Sequence, residues 1–209
     1  NPWDERLCFM DDDDLFKAIS SGKASVETDE IETFTERGIR LKSGKELDAD
    51  IVVSATGIVL QLRGGARASV DGAPVDIGRT LTYRGMMFSG VPNLVSVFGY
   101  LNASWTLRAD LISEYVCRLL RFMDRSGYAS ATPTPDAAAG DPAPFSDFTS
   151  GYMKRALDVL PKQASGPWRH PQNFYTDFFG MKFGKIDDGA LKFAPAPAAA
   201  AAAPQLAAA

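Results

Sequence analysis

The apolar positions of this chain follow three patterns, and each predicts a different kind of element. Residues 94–98 are an almost unbroken apolar run with valines at alternate positions, as in a strand covered on both faces. Gly99 ends that run. Leu111, Ile112, Tyr115, Val116, Leu119, Leu120 and Met123 then recur at helical spacing, with Asp110, Glu114, Arg118, Arg121 and Arg125 on the opposite face. Glu114 and Arg118 stand four apart in the favoured order for an ion pair. Asn102 or Ser104 can cap the helix and Gly127 can stop it. Residues 92–127 therefore read as strand, tight polar turn and long helix. In an open α/β sheet, ligands lie beyond the carboxyl ends of strands, where helix N-termini point. The turn 99–106 occupies that place, and its amides could face an electron-rich group. The same pattern also suits a strand–helix unit with only a packing role.

Upstream, Leu15, Phe16, Ala18 and Ile19 follow Asp11, Asp12, Asp13 and Asp14. This reads as a helix whose acidic first turn favours the dipole, because oxygen-ligand metal sites need spaced positions on a defined loop. The run SSGKAS at 20–25 lacks the upstream glycine and the hydroxyl residue after lysine that a phosphate loop needs. Residues 24–47 change period. ASVETD, EIETFT and GIRLKS are separated by turn signals and predict an antiparallel meander. Residues 51–57, IVVSATG, predict a second buried strand ending in small residues.

Residues 58–90 show no helical period. ASVDGAPVD predicts a hairpin around Asp71 and Gly72. Residues 128–146, rich in Pro, Ala, Thr and Asp, read as a surface linker. A short amphipathic pattern spans 148–160. Phe174, Tyr175, Phe178, Phe179, Met181 and Phe183 predict a C-terminal helix packed on the body. The Ala/Pro tail from 194 lacks the apolar variety for a core and should be exposed and frayed.

Composition narrows the function classes. The chain has 209 residues, enough for one domain or two small ones, and 45% apolar residues support a real core. A net charge of −4 gives no nucleic-acid footprint. Cys8 and Cys117 form neither a disulfide framework nor a metal spacing, which fits a reducing, cytoplasmic setting. No apolar run reaches membrane-spanning length. The chain opens on Asn-Pro-Trp rather than Met, which suggests a fragment. His170 is the only histidine and reads as a surface or packing residue, so no metal site is expected. Neither G-x-S-x-G nor G-x-G-x-x-G occurs. The fold class is α/β, and catalytic residues are not identified.

The ordered segments NPWDERLCF, DLFKAISSGKASVETDEIETFTERGIRLKSGKELDADIVVSATG, FSGVPNLVSVFGYLNASWTLRADLISEYVCRLLRFMD, LPKQ and KIDDGALKF resemble the C-terminal half of class B flavoprotein monooxygenases. This group includes flavin-containing and Baeyer–Villiger monooxygenases, and the likeness is greatest to the branch that includes the ethionamide-activating monooxygenase. The resemblance implies a Rossmann-like parent with two dinucleotide-binding domains, one for FAD and one for NADPH. Residues 1–57 would end the NADPH domain, with Ala55, Thr56 and Gly57 as the family's Ala-Thr-Gly link. Residues 58–90 would connect, 91–127 would return into the FAD domain, 128–146 would link, 147–193 would form a helical segment and 194–209 a tail. Asn102, Ala103, Ser104 and Trp105 would meet FAD, with the first-turn amides aimed at the pyrimidine end of the flavin and Trp105 as a wall. The implied reaction inserts one oxygen atom of O2 into a ketone or soft-heteroatom substrate through a peroxyflavin, with NADPH as reductant. The implied partners are a small organic substrate, O2 and the N-terminal half of the same protein. Without the glycine-rich loops, this chain alone is expected to bind FAD weakly or not at all, and to be inactive. A noncatalytic binding or scaffold module is the alternative from a different class.

Overall fold

The computed structural model describes residues 11–101, 103–147 and 150–196. The loop expected at 1–10, Asn102 and the tail from 197 lie outside the described residues. The chain is α/β, with small antiparallel sheets and few helices, and divides between Ile58 and Val59 into two compact units.

The first unit holds helix α1 (Asp14–Ser20) and a three-stranded antiparallel meander: β1 (Ile31–Thr35), β2 (Gly38–Leu41) and β3 (Glu46–Asp48). The expected meander is present but displaced by one segment. ASVETD is not a strand, and ELD supplies the third instead. Asp29 explains the start of the sheet: its carboxylate accepts from the amides of Glu30 (2.7 Å) and Ser43 (3.2 Å), which competes with ladder pairing. The strands are laced by exposed ion pairs, among them Arg37–Asp48 and Arg40–Glu32, each worth little in water. Leu41 is buried, whereas Phe16, Phe34 and Ile31 are exposed, and α1 buries nothing.

The buried strand expected at 51–57 is absent. Ile51 and Val53 are 81% and 82% exposed, and the segment carries no ladder. An apolar run becomes a strand only when another strand takes up its N–H and C=O groups, and none among the described residues does so.

The second unit begins with the expected hairpin, β4 (Ala68–Val70) and β5 (Ala73–Val75), turning through Asp71 and Gly72, both at positive φ. A second hairpin, β6 (Thr82–Tyr83) and β7 (Met87–Phe88), turns through Arg84 and Gly85. Residues 94–98, expected as a strand, are irregular: isolated bonds such as Ser96 N–H to Met86 O (2.7 Å) replace a ladder. Helix α2 (Trp105–Ser126) follows and stops at Gly127, which is left-handed at φ 69°. Its face of Leu111, Ile112, Tyr115, Leu119 and Met123 packs on Tyr83, Met86, Met87, Trp168 and Met181 to make the main core. Leu120, expected on that face, is 53% exposed.

The supposed linker is largely structural. It contains β8 (Tyr128–Pro133) and β9 (Ala143–Pro144), with Ala131 and Pro133 fully buried. Small side chains, read as linker composition, instead let backbone approach the core closely. Residues 134–138 and 140–144 are exposed. A short helix α3 (Gly151–Arg155) precedes β10 (Lys162–Gln163), which pairs with β9. Helix α4 (Phe174–Phe183) forms as expected and packs on α2. The last strand, β11 (Leu191–Pro195), pairs with β8, so Ala194 and Pro195 belong to a sheet rather than to a frayed tail.

Candidate functional site

The N-terminal end of α2 is where the strongest side-chain chemistry of the second unit converges. Its first turn, Trp-Thr-Leu-Arg, contains no acidic residue. Ser104 stands at the N-cap position, yet its hydroxyl bonds the Thr106 hydroxyl at 2.7 Å and makes no cap bond to an amide. The capping expected of Ser104 is therefore not made. Ser104 therefore leaves the first-turn donors and the positive end of the dipole without a cap from its side chain. Ala103, Ser104 and Trp105 are all exposed, and the Trp105 ring lies 5.2 Å from that of Phe98.

Arg108, in the first turns of α2, has the wrong sign for a helix N-terminus. It is nonetheless fully buried. Its Nε donates to Asp177 at 3.0 Å, Nη1 to the carbonyls of Phe98 (2.7 Å) and Gly85 (3.3 Å), and Nη2 to the Arg84 carbonyl (2.7 Å). One guanidinium thus ties α2 to the β6–β7 turn, to residue 98 and to α4. Asp177 also accepts from the Tyr100 hydroxyl at 2.9 Å. Burial, and then the nearby Asp177 carboxylate, push the Tyr100 phenol above its ordinary range, so it is a neutral donor.

The turn at Gly85 makes this approach possible. Its φ is 64°, and a Cβ there would lie 2.5 Å from His170 Cδ2 and 2.7 Å from Arg108 Nη2. His170 is buried, with ring centroids of Phe98 and Phe145 at 5.6 and 4.5 Å. Desolvation, reinforced by Arg108, lowers its pKa to about 3, so the imidazole is neutral at pH 7. Of the two roles the sequence left open for His170, surface or packing, the burial agrees with packing.

A second polar group is built around Tyr83 and Arg84. The Tyr83 hydroxyl shares a 2.8 Å bond with that of Tyr115 and donates to Asp188 at 2.9 Å, while Arg84 reaches Tyr83, Asp188 and the Gly180 carbonyl. Arg118 does not pair with Glu114 as its spacing suggests. It donates to the carbonyls of Met181 and Gly184, and Glu114 pairs with Lys182 at 3.3 Å. Two arginines thereby satisfy carbonyls at the C-terminal end of α4, where cations are favoured. A cleft of about 390 Å³ between the 166–171 loop and α4 is lined by Arg84, Arg169, Asn173, Thr176 and Asp177, among others.

The structure brings Ala103, Ser104 and Trp105 together at one helix terminus. Ala55, Thr56 and Gly57 lie in the other unit, exposed and outside regular structure. Sequence reasoning missed Arg108 and Asp177. The one available signal was an arginine in the first turn of a helix, where the helix dipole disfavours a cation. No group of three or more His, Cys, Asp or Glu able to hold a metal occurs among the described residues. Nor, among them, is any helix long and apolar enough to cross a membrane.

Comparison with known proteins identifies close relatives. The chain is 54% identical over 199 residues to the FAD-containing monooxygenase EthA of Mycobacterium tuberculosis, covering 95% of this chain and 41% of the relative. It is 51% identical over 203 residues to the FAD-containing monooxygenase EthA of Mycolicibacterium smegmatis, covering 97% of this chain and 41% of the relative. It is 50% identical over 195 residues to the protein named "Probable FAD-binding monooxygenase AlmA" of Acinetobacter baylyi, covering 92% and 39% respectively. The chain thus spans about two-fifths of the length of the curated relatives it matches. No family model and no solved structure matches it.

Proposed function

We propose that this chain is the C-terminal portion of an FAD- and NADPH-dependent monooxygenase with a Rossmann-like, two-dinucleotide-domain architecture, inserting one oxygen atom of O2 into a ketone or soft-heteroatom substrate. The observation that carries this reading is 54% identity to an FAD-containing monooxygenase across 95% of the chain. The residues at the head of α2 are chemically suited to a flavin. A reduced flavin is negative near N1 and O2, and this terminus presents a positive dipole end with no acidic side chain in its first turn and no cap bond from Ser104. Ala103, Ser104 and Trp105, with Asn102, would hold that end through backbone donors and one aromatic wall. Ala55, Thr56 and Gly57 would form the small-residue link at the edge of the NADPH domain, where close backbone approach is needed.

When bound, the flavin supplies oxygen activation and NADPH the reducing equivalents. The part of this chain is to bind, orient and exclude water. Arg108 and Asp177 hold the turn rigid behind the terminus, and the aromatic contacts of Phe98, Phe145 and His170 form an apolar backing. Exposed apolar side chains support the reading of a portion over that of a free-standing module. Ile51, Val53, Val97 and Phe179 are each at least 49% exposed, as expected of surfaces that a further part of the same protein would cover.

The test is purification of the full-length protein carrying this chain. Flavin absorbance together with substrate-dependent NADPH oxidation, assayed with ketones and thioethers, is the expected result. A protein with neither bound flavin nor such oxidation would overturn the proposal.

A further inference from the structure

The turn that precedes α2 is not held by a sheet. Residues 94–98 lack a ladder, so something else must fix the backbone that leads into the helix. The side chain of Gln172 does this. Its Oε1 accepts from the amide of Leu101 at 2.6 Å, and its Nε2 lies 3.4 Å from the Gly99 carbonyl and 2.9 Å from His170 Nε2. The C=O of residue 99 and the N–H of residue 101 flank Tyr100, and the Gln172 amide reaches both. A primary amide can therefore pair with both, as a neighbouring strand would. The two contacts also fix which end of the amide is which: only the oxygen can accept from an N–H.

Tyr100 is held from its other end as well. Its hydroxyl donates to Asp177, which also takes Arg108 of α2. Gln172 and Asp177 lie on either side of the start of α4, so one short stretch sets both the turn and the helix it feeds.

The backbone supplies an independent observation. Gln172 sits at φ 52°, in the left-handed region that a non-glycine residue enters only at a cost. Such strain persists where the surroundings over-determine the conformation, and here it aims the amide at the turn.

From these contacts we infer that Gln172 is a positioning residue: its amide stands in for the missing strand partner and sets the placement of the turn 99–101, and through it the α2 terminus that meets the flavin. The flavin half of this inference rests on the proposed function. The clamp half does not.

The experiment uses the full-length protein and two variants, Gln172→Met and Gln172→Gly. Met keeps the length and removes both hydrogen bonds. Gly also removes them but relieves the left-handed strain, so misfolding from strain does not explain a shared effect. Amide hydrogen exchange at Leu101 is read first. At least tenfold faster exchange there in both variants, with the centre of α2 unchanged, is expected. Unchanged exchange at Leu101 would overturn the clamp. Flavin affinity and reduction potential are read next, with a rise in flavin Kd of about two- to tenfold expected for the lost hydrogen bonds. Faster exchange with unchanged Kd and potential would reduce Gln172 to a structural role and overturn the positioning. A wild-type protein that binds no flavin would refute the proposed function and the flavin half together, while Leu101 exchange still decides the clamp.

Discussion

Replacing Asp177 with alanine should be among the most damaging single changes in the second unit. Asp177 is 5% exposed and faces an arginine that is fully buried. Its removal leaves the Arg108 charge uncompensated inside the protein, which costs about 3–5 kcal/mol. It also strips the Tyr100 hydroxyl of its acceptor, at about 1–3 kcal/mol. The total, about 4–8 kcal/mol, is a large share of the ~5–15 kcal/mol that typically holds a domain folded. Arg108 keeps its three carbonyl contacts in the variant, so the loss reflects charge rather than a vanished network. The assay is urea denaturation of the full-length protein, followed by fluorescence of the buried Trp168. A cycle with Arg108→Met and the double variant isolates the pair, and a coupling of about 2–3 kcal/mol is expected. If Asp177→Ala falls within about 1 kcal/mol of wild type, or the coupling is below about 0.5 kcal/mol, the ion pair does not organise this site.

Three further outcomes are expected. His170 is neutral in the fold, with its pKa lowered to about 3 against 6.5 when exposed, so the unfolded chain binds the extra proton between those values. Stability should therefore fall as pH drops below 6.5, by up to about 1.4 kcal/mol per unit, and His170→Phe should flatten denaturation midpoints compared at pH 5 and 7. Gly85→Ala should cost about 2–4 kcal/mol, because the left-handed turn and the contacts with His170 and Arg108 both resist a Cβ. Gly127→Ala, at φ 69° with open space around it, should cost only about 1–2 kcal/mol in the same denaturation assay, and equal losses would refute the packing argument. Arg118→Met should cost about 1.5–3 kcal/mol and speed hydrogen exchange in the last turn of α4, since it removes two charged donors from carbonyls there.

Local pattern was sufficient wherever an element carries its own determinants. The 3.6-residue period of Leu111, Ile112, Tyr115, Leu119 and Met123, with glycine at 127, specifies α2 because a helix closes its hydrogen bonds within itself. The Asp71-Gly72 hairpin was legible for the same reason: two residues able to adopt positive φ fix the turn. The aromatic cluster at 174–183 was legible as a helix, although Tyr175, Phe179 and Phe183 stand exposed rather than packed on the body. The resemblance to flavoprotein monooxygenases was likewise carried by the residues themselves, and the relatives agree with it.

Pairing across the chain was decided by tertiary structure. Residues 51–57 and 94–98 have the composition of buried strands, but a strand's hydrogen bonds belong to its neighbour, and no ladder neighbour among the described residues takes them. Tyr128–Pro133 shows the converse, becoming a strand because Leu191–Pro195, some sixty residues on, supplies the ladder. The site behaves in the same way. Arg108 and Asp177 are sixty-nine positions apart, and Leu101 and Gln172 seventy-one. No local period encodes a bond between a guanidinium in one helix and a carboxylate in another. Such a bond exists because burial of both helices excludes water from the charges and leaves each the other's principal partner.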